Sequence, residues 1–247
     1  MPFFEEFASS TDADRQLLLH KNGIGLYQLS HYQYVCSGDH IVQGVMDIQA
    51  PSRVLSPVVQ AMLAGLQLSR PLSKVLNLGL GCAAIERYLY TRRPELSLVT
   101  VDCCNDVIEL CAQAGLLPDG CTPVIGDATQ YLMQTSTRFD AVFCDLAIGD
   151  TQPEMLFSEM FYKACYERMN AGAVLMVDVL CEDNELLRKV CLAARKVFAW
   201  TAVVDIQGFD NVVMYAAKAP PAIDRYRSSD VLEAESKKLL SRVQILP

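Results

Sequence analysis

Short apolar runs and helically spaced apolar residues alternate through most of the chain. Runs at 75–79, 97–101, 122–125, 139–144 and 173–177 read as strands. Helices are expected between them, starting near Cys82, near Asp106 (with Val107, Cys111 and Ala114 on one side) and near Ala128. Ser158 is placed to cap a further helix carrying Phe161, Tyr162, Cys165 and Met169, which Asn170-Ala-Gly172 ends. Leu187, Val190, Cys191, Ala194, Val197 and Phe198 share one helical face. Thr201–Val204 and Val212–Tyr215 are strands joined by the short link Gln207–Asn211, which predicts an antiparallel hairpin. Ser56-Pro57 is a helix start, with Val58, Met62 and Leu66 on one face and Pro71 preventing continuation. The alternation predicts a Rossmann-like α/β fold. Its seven-stranded, mostly parallel sheet ends in a hairpin and has helices on both faces.

Residues 1–52 follow another pattern. Gly25–Val35 is tyrosine-rich and partly alternating, Ser37–Asp39 reads as a turn, and His40–Met46 returns as a second strand. This predicts a small N-terminal β-hairpin domain or antiparallel sheet over 1–52, ahead of a nucleoside-binding catalytic domain over 53–247. The tyrosines can equally serve as a plain cover for the main domain. Pro220-Pro221 reads as a break before a tail helix from Asp230 with Val231, Leu239 and Leu240.

Composition narrows the classes. Apolar residues make up 51% and charged ones 20%, which excludes a disordered chain. A net charge of −8 argues against nucleic-acid binding by phosphate neutralisation and favours a small cationic substrate. No basic, apolar secretory leader is apparent, and no run approaches the ~18 apolar residues of a membrane span. The ten cysteines are scattered without a C-x-x-C pair, and the three histidines all lie at or before position 40. No metal site is therefore expected, and a reduced, cytoplasmic setting is.

The candidate chemistry lies at the strand ends. The first strand runs into Gly79-Leu-Gly81, a turn that can approach a ligand and present helix N–H groups, or can simply allow close helix–strand packing. The second strand ends in Asp102, roughly 20 residues on, where a carboxylate can accept ribose hydroxyls. The third runs into Gly126-Asp127-Ala128 and the fourth into Asp145. Asp145 can act as a general base, hold an ammonium group, or cap the following turn.

These residues resemble the spermidine synthase-like (polyamine aminopropyltransferase) branch of the methyltransferase-fold proteins, over about 27–218. The most specific stretches are Phe139-Asp-Ala-Val-Phe-Cys-Asp145 and Leu156-Phe-Ser-Glu-Met-Phe-Tyr162. They are similar to the family's catalytic aspartate, gate loop and "LFSEEFY" helix start. Val75–Ala84 is similar to the glycine-rich nucleotide turn, Asp102 to the ribose-binding acid, and Asp127-Ala128 to the adenine-side "GDA" turn. The resemblance implies cofactor binding by Gly79, Gly81, Asp102, Asp127 and Ala128, with Asp145 as base. It also implies a homodimer.

Three departures stand out. The family's aspartate within the glycine turn is Gly81 here, and its second gate-loop aspartate is Ile148, with Asp150 two residues further on as a candidate substrate carboxylate. Ser56-Pro57-Val58 replaces the family's "YHE". The resemblance thus implies an aminopropyltransferase using decarboxylated S-adenosylmethionine and a small amine. The alternatives are a methyltransferase using S-adenosylmethionine itself, and a non-catalytic nucleoside-binding relative.

Overall fold

In the computed structural model, residues 2–38, 41–69, 72–146, 151–181, 183–221, 239 and 242–246 are described. Helix α1 (Pro2–Ser9) precedes strands β1 (Gln16–Lys21), β2 (Ile24–Leu29), β3 (Tyr32–Ser37) and β4 (Ile41–Asp47). The four strands pair antiparallel in sequence order. The stretch expected as one strand over Gly25–Val35 is therefore two. It reverses at Ser30-His31, where Ser30 takes φ +52° and Leu29 pairs with Tyr32. β1 went unpredicted because Leu17-Leu18-Leu19 shows no two-residue alternation.

The main layer alternates as expected. In order come α2 (Pro57–Ala64), β5 (Lys74–Leu78), α3 (Ala84–Arg92), β6 (Ser97–Asp102), α4 (Asn105–Gln113), β7 (Val124–Ile125) and α5 (Ala128–Gln134). Then follow β8 (Phe139–Cys144), α6 (Glu159–Arg168), β9 (Met169–Leu180), α7 (Asn184–Arg195), β10 (Trp200–Asp205), β11 (Asn211–Ala217) and β12 (Gln244–Ile245). Ser56 caps α2 by accepting the Val59 N–H, and Ser158 caps α6 by accepting the Met160 N–H. Among the described residues the sheet has eight strands, in the order β12-β10-β11-β9-β8-β5-β6-β7. The seven expected strands are present. The eighth, β12, is a two-residue edge pairing of Gln244 and Ile245 with Val203 and Ala202, too short to leave a sequence pattern. The tail helix expected from Asp230 lies outside the described residues, except for Leu239.

Strand order decides where a ligand can sit. β5, β6 and β7 run outward in one direction, and β8 then returns to the other side of β5. That reversal opens a crevice beyond the carboxyl ends of β5 and β8. Asp140, buried in β8, helps fix the other end of these strands. Its carboxylate accepts the Ser73 and Lys74 N–H groups at 2.9 and 3.0 Å and the Asn170 amide at 2.7 Å. One apolar cluster packs α5, α6 and α7 on one face of the sheet, and a second packs α2 and α3 on the other. A third joins the N-terminal sheet (Leu26, Val35, Met46) to Leu80, Cys82 and Ala83 and to α4. The N-terminal sheet therefore shares a core with the main layer at the glycine turn.

Candidate functional site

Gly79 and Gly81 both take positive φ, +98° and +53°, the left-handed region that favours glycine. A Cβ at Gly79 would lie 1.9 Å from the Asp145 carbonyl oxygen, so the turn and the end of β8 touch main chain to main chain. A Cβ at Gly81 would lie 2.9 Å from the Gln43 carbonyl oxygen, and one at Gly44 would lie 2.6 Å from Cys82 Sγ. β4 thus lies directly over the glycine turn. This supplies a physical reason for the departure at position 81, since an aspartate there would require β4 to shift.

A buried polar network holds the turn from behind. The Asn77 amide donates to the Gly79 carbonyl and to Glu86 Oε1, both at 2.7 Å, and Thr100 Oγ1 donates to the same Glu86 oxygen at 2.6 Å. Burial raises the Glu86 pKa, against the two hydrogen bonds, which lower it. Asp102 braces the front: its oxygens accept the Leu80 N–H at 2.8 Å and the Cys104 N–H at 2.7 Å. An ionised carboxylate has about four acceptor positions, so Asp102 retains capacity for hydroxyl donors. Asp127 accepts the Gln130 N–H at 2.8 Å as the N-cap of α5, while the Ala128 side chain is buried in the core. The Gly126 N–H donates to the Asp102 carbonyl at 3.0 Å, which keeps the third strand end beside the second.

The structure therefore brings Gly79, Gly81, Asp102 and Asp145 together around one turn, with Asp127 and Ala128 at the neighbouring strand end. Asp150 lies outside the described residues. A cavity of about 190 Å³ reaches Gly79, Gly81 and Asp145. Its apolar walls include Phe4 from α1, Val42 and Val45 from β4, Val58 and Val59 from α2, and Phe209. Asp102, Asp127 and Ala128 are not among its walls.

Two site residues went unread in the sequence. Asp178 lines the cavity together with Asn211, whose amide donates to both Asp178 oxygens at 3.0 Å. The signal was a single carboxylate inside the apolar run Val174–Val179. Asn77 carried the same kind of signal within Val75–Leu78. Burial raises the pKa of Asp145, and the charge of Asp102 adds to it. Asp178 is raised by burial and then by Asp145, against the Asn211 amide. A carboxyl group poised this way can take a proton at neutral pH better than an ordinary one. Among the described residues no cluster of histidine, cysteine, aspartate and glutamate has the geometry to hold a metal ion, and all ten cysteines are free thiols. No helix among them is long and apolar enough to cross a membrane.

An α/β sheet with its crevice at the strand reversal, a glycine turn and strand-end carboxylates defines the class, a methyltransferase-like α/β fold. No protein-family profile matches the chain. Among curated proteins it is 36% identical over 78 residues to a polyamine aminopropyltransferase of Thermococcus kodakarensis, covering 30% of this chain and 27% of that one. It is 25% identical over 177 residues to the polyamine aminopropyltransferase of Klebsiella pneumoniae, covering 66% of this chain and 62% of that one. The chain thus matches less than two thirds of the length of these relatives. Among solved structures, a probable spermidine synthase from Corynebacterium glutamicum superposes with a TM-score of 0.72 at 14% identity, covering 90% of this chain and 86% of that one. A spermidine synthase in complex with the transition-state analogue AdoDATO gives 0.66 at 15% identity, covering 94% and 85%. Both comparisons thus return the likeness read from the sequence, and the structures share the fold.

Proposed function

We propose that this chain is an aminopropyltransferase acting on decarboxylated S-adenosylmethionine and a small amine. The observation that carries the reading is Asp145. It stands at the carboxyl end of β8, touches the glycine turn through its main chain, and faces an apolar cavity with its pKa raised. Gly79, Gly81, Asp102, Asp127 and Ala128 hold the nucleoside in this reading, with the ribose on Asp102 and the adenine by Asp127. Asp150, further along the sequence, is a substrate carboxylate in this reading. Asp145 takes a proton from the acceptor ammonium. The neutral nitrogen attacks the carbon beside the sulfonium, the carbon–sulfur bond breaks, and methylthioadenosine leaves. Holding nitrogen and carbon in line supplies much of the rate.

Calorimetry with methylthioadenosine, decarboxylated S-adenosylmethionine and S-adenosylmethionine tests the donor, and a turnover assay across small amines tests the acceptor. The reading expects the decarboxylated donor to bind more tightly than the carboxylated one and to react with an amine. Tighter binding of S-adenosylmethionine, with methyl transfer, would instead make the protein a methyltransferase. Nucleoside binding with no turnover would make it a binding protein.

A further inference from the structure

β8 and β9 run parallel with Cys144 paired to Val177, so the next residues, Asp145 and Asp178, stand side by side at the carboxyl edge of the sheet. Neighbouring strands lie about 4.8 Å apart, so the two carboxylates share one crevice. Both line the cavity beneath β4 and α2. Asp178 is held from its other side by Asn211, which follows the turn carrying Phe209. Asp145 is held by its own N–H on the Leu78 carbonyl at 2.9 Å. The ionisable side chains in the described cavity wall are these two carboxylates and the buried Cys82 thiol, with Asp102 across the glycine turn. The pieces of α1, β4, α2 and the β10–β11 turn that face the pair contribute apolar and amide groups and the Ser56 hydroxyl at the start of α2, none of them charged.

We infer that Asp145 and Asp178 form a pair that shares one proton in the free protein and releases it when a cationic amine binds, with Asp178 holding the ammonium group and Asp145 serving as the base. This rests on the aminopropyltransferase reading. Two like charges at strand spacing against apolar walls cannot both ionise cheaply. Their titration belongs to the pair. The charges then balance through the reaction. The shared proton goes to solvent as the ammonium enters, leaving two carboxylates beside the reacting ammonium and the donor's sulfonium. Asp145 next takes a proton from the nitrogen. Attack forms the nitrogen–carbon bond and breaks the carbon–sulfur bond, the sulfonium charge disappears with methylthioadenosine, and the secondary ammonium product remains on Asp178.

The test uses the full chain saturated with methylthioadenosine and titrated calorimetrically with 1,4-diaminobutane near pH 7, in phosphate and in Tris. The difference in heat between the buffers reports proton release, expected at about one per amine bound. Asp178→Asn should abolish that release and weaken amine binding at least about tenfold, the loss of a hydrogen bond to a charged group, while methylthioadenosine affinity holds. Asp178→Glu should restore proton release. Carbon-13 titration of the aspartate carboxyls checks the pair without any amine: the Asp178 midpoint, which the charge of Asp145 raises, should fall in Asp145→Asn. An unmoved Asp178 midpoint in Asp145→Asn, or unchanged proton release and amine affinity in Asp178→Asn, overturns the pair. Wild type that shows the shifted midpoint and binds methylthioadenosine but no amine keeps the shared proton, and overturns both the ammonium role and the proposed function.

Discussion

A methyl group added at Gly79 would sit 1.9 Å from the Asp145 carbonyl oxygen, on a backbone at φ +98°. Gly79→Ala should therefore cost at least about 2 kcal/mol, from left-handed strain and a main-chain clash, and chemical denaturation measures it. A loss within about 0.5 kcal/mol would mean that the turn and β8 do not meet as described. Asp178 gives a pH-dependent counterpart. Burial and the charge of Asp145 raise its pKa above the unfolded value. The folded state then binds more protons, and stability falls as pH rises from the ordinary carboxylate range through the raised one. Asp178→Asn removes this loss, so its Tm relative to wild type should be higher at about pH 8 than at about pH 4. Calorimetric scans showing the same offset at both pH values would contradict the raised pKa. Asp178 and Asn77 were hard to read in sequence because each is one polar residue in an apolar strand. Their meaning comes from Asn211 and Glu86 on other elements.

The elements legible in the sequence were those whose signals are local. The buried strands are continuous apolar runs, and Ser56 and Ser158 cap the helices they precede. The N-terminal sheet was half legible: its last turn and strand could be read, but the reversal at Ser30 and the pairing of β1 depend on partners elsewhere in the chain. Asp127 combines two roles that can be separated. As the cap of α5, its replacement by alanine should cost about 1 kcal/mol, whereas asparagine caps equally well. If Asp127 also meets the nucleoside, Asp127→Asn should keep stability and weaken methylthioadenosine binding. Unchanged calorimetric affinity would leave it a cap alone. The N-terminal sheet is likewise more than an attachment, because Leu26, Val35 and Met46 pack on the glycine turn. Deleting residues 1–52 should uncover that apolar face and promote aggregation. A truncated chain that stays soluble and folded by light scattering and circular dichroism would show that the sheet is dispensable.

Across the whole molecule, the crevice at the strand reversal, the sheet lying over it and the acidic net charge all favour a small cation meeting a nucleoside-bearing donor. The residues proposed for the donor side could be picked out in the sequence because they follow strand ends at regular intervals. It did not foretell the side-by-side pair, since Asp145 and Asp178 become neighbours only through the β8–β9 register. The central claim is that Asp145 is the base. Asp145→Asn keeps the shape of the side chain and removes its proton-accepting charge. The measurement is turnover of decarboxylated S-adenosylmethionine with an accepting amine, read alongside methylthioadenosine affinity. The account predicts a loss of at least about 10²-fold in turnover with nucleoside affinity nearly intact. Full activity in the folded Asp145→Asn protein would contradict it.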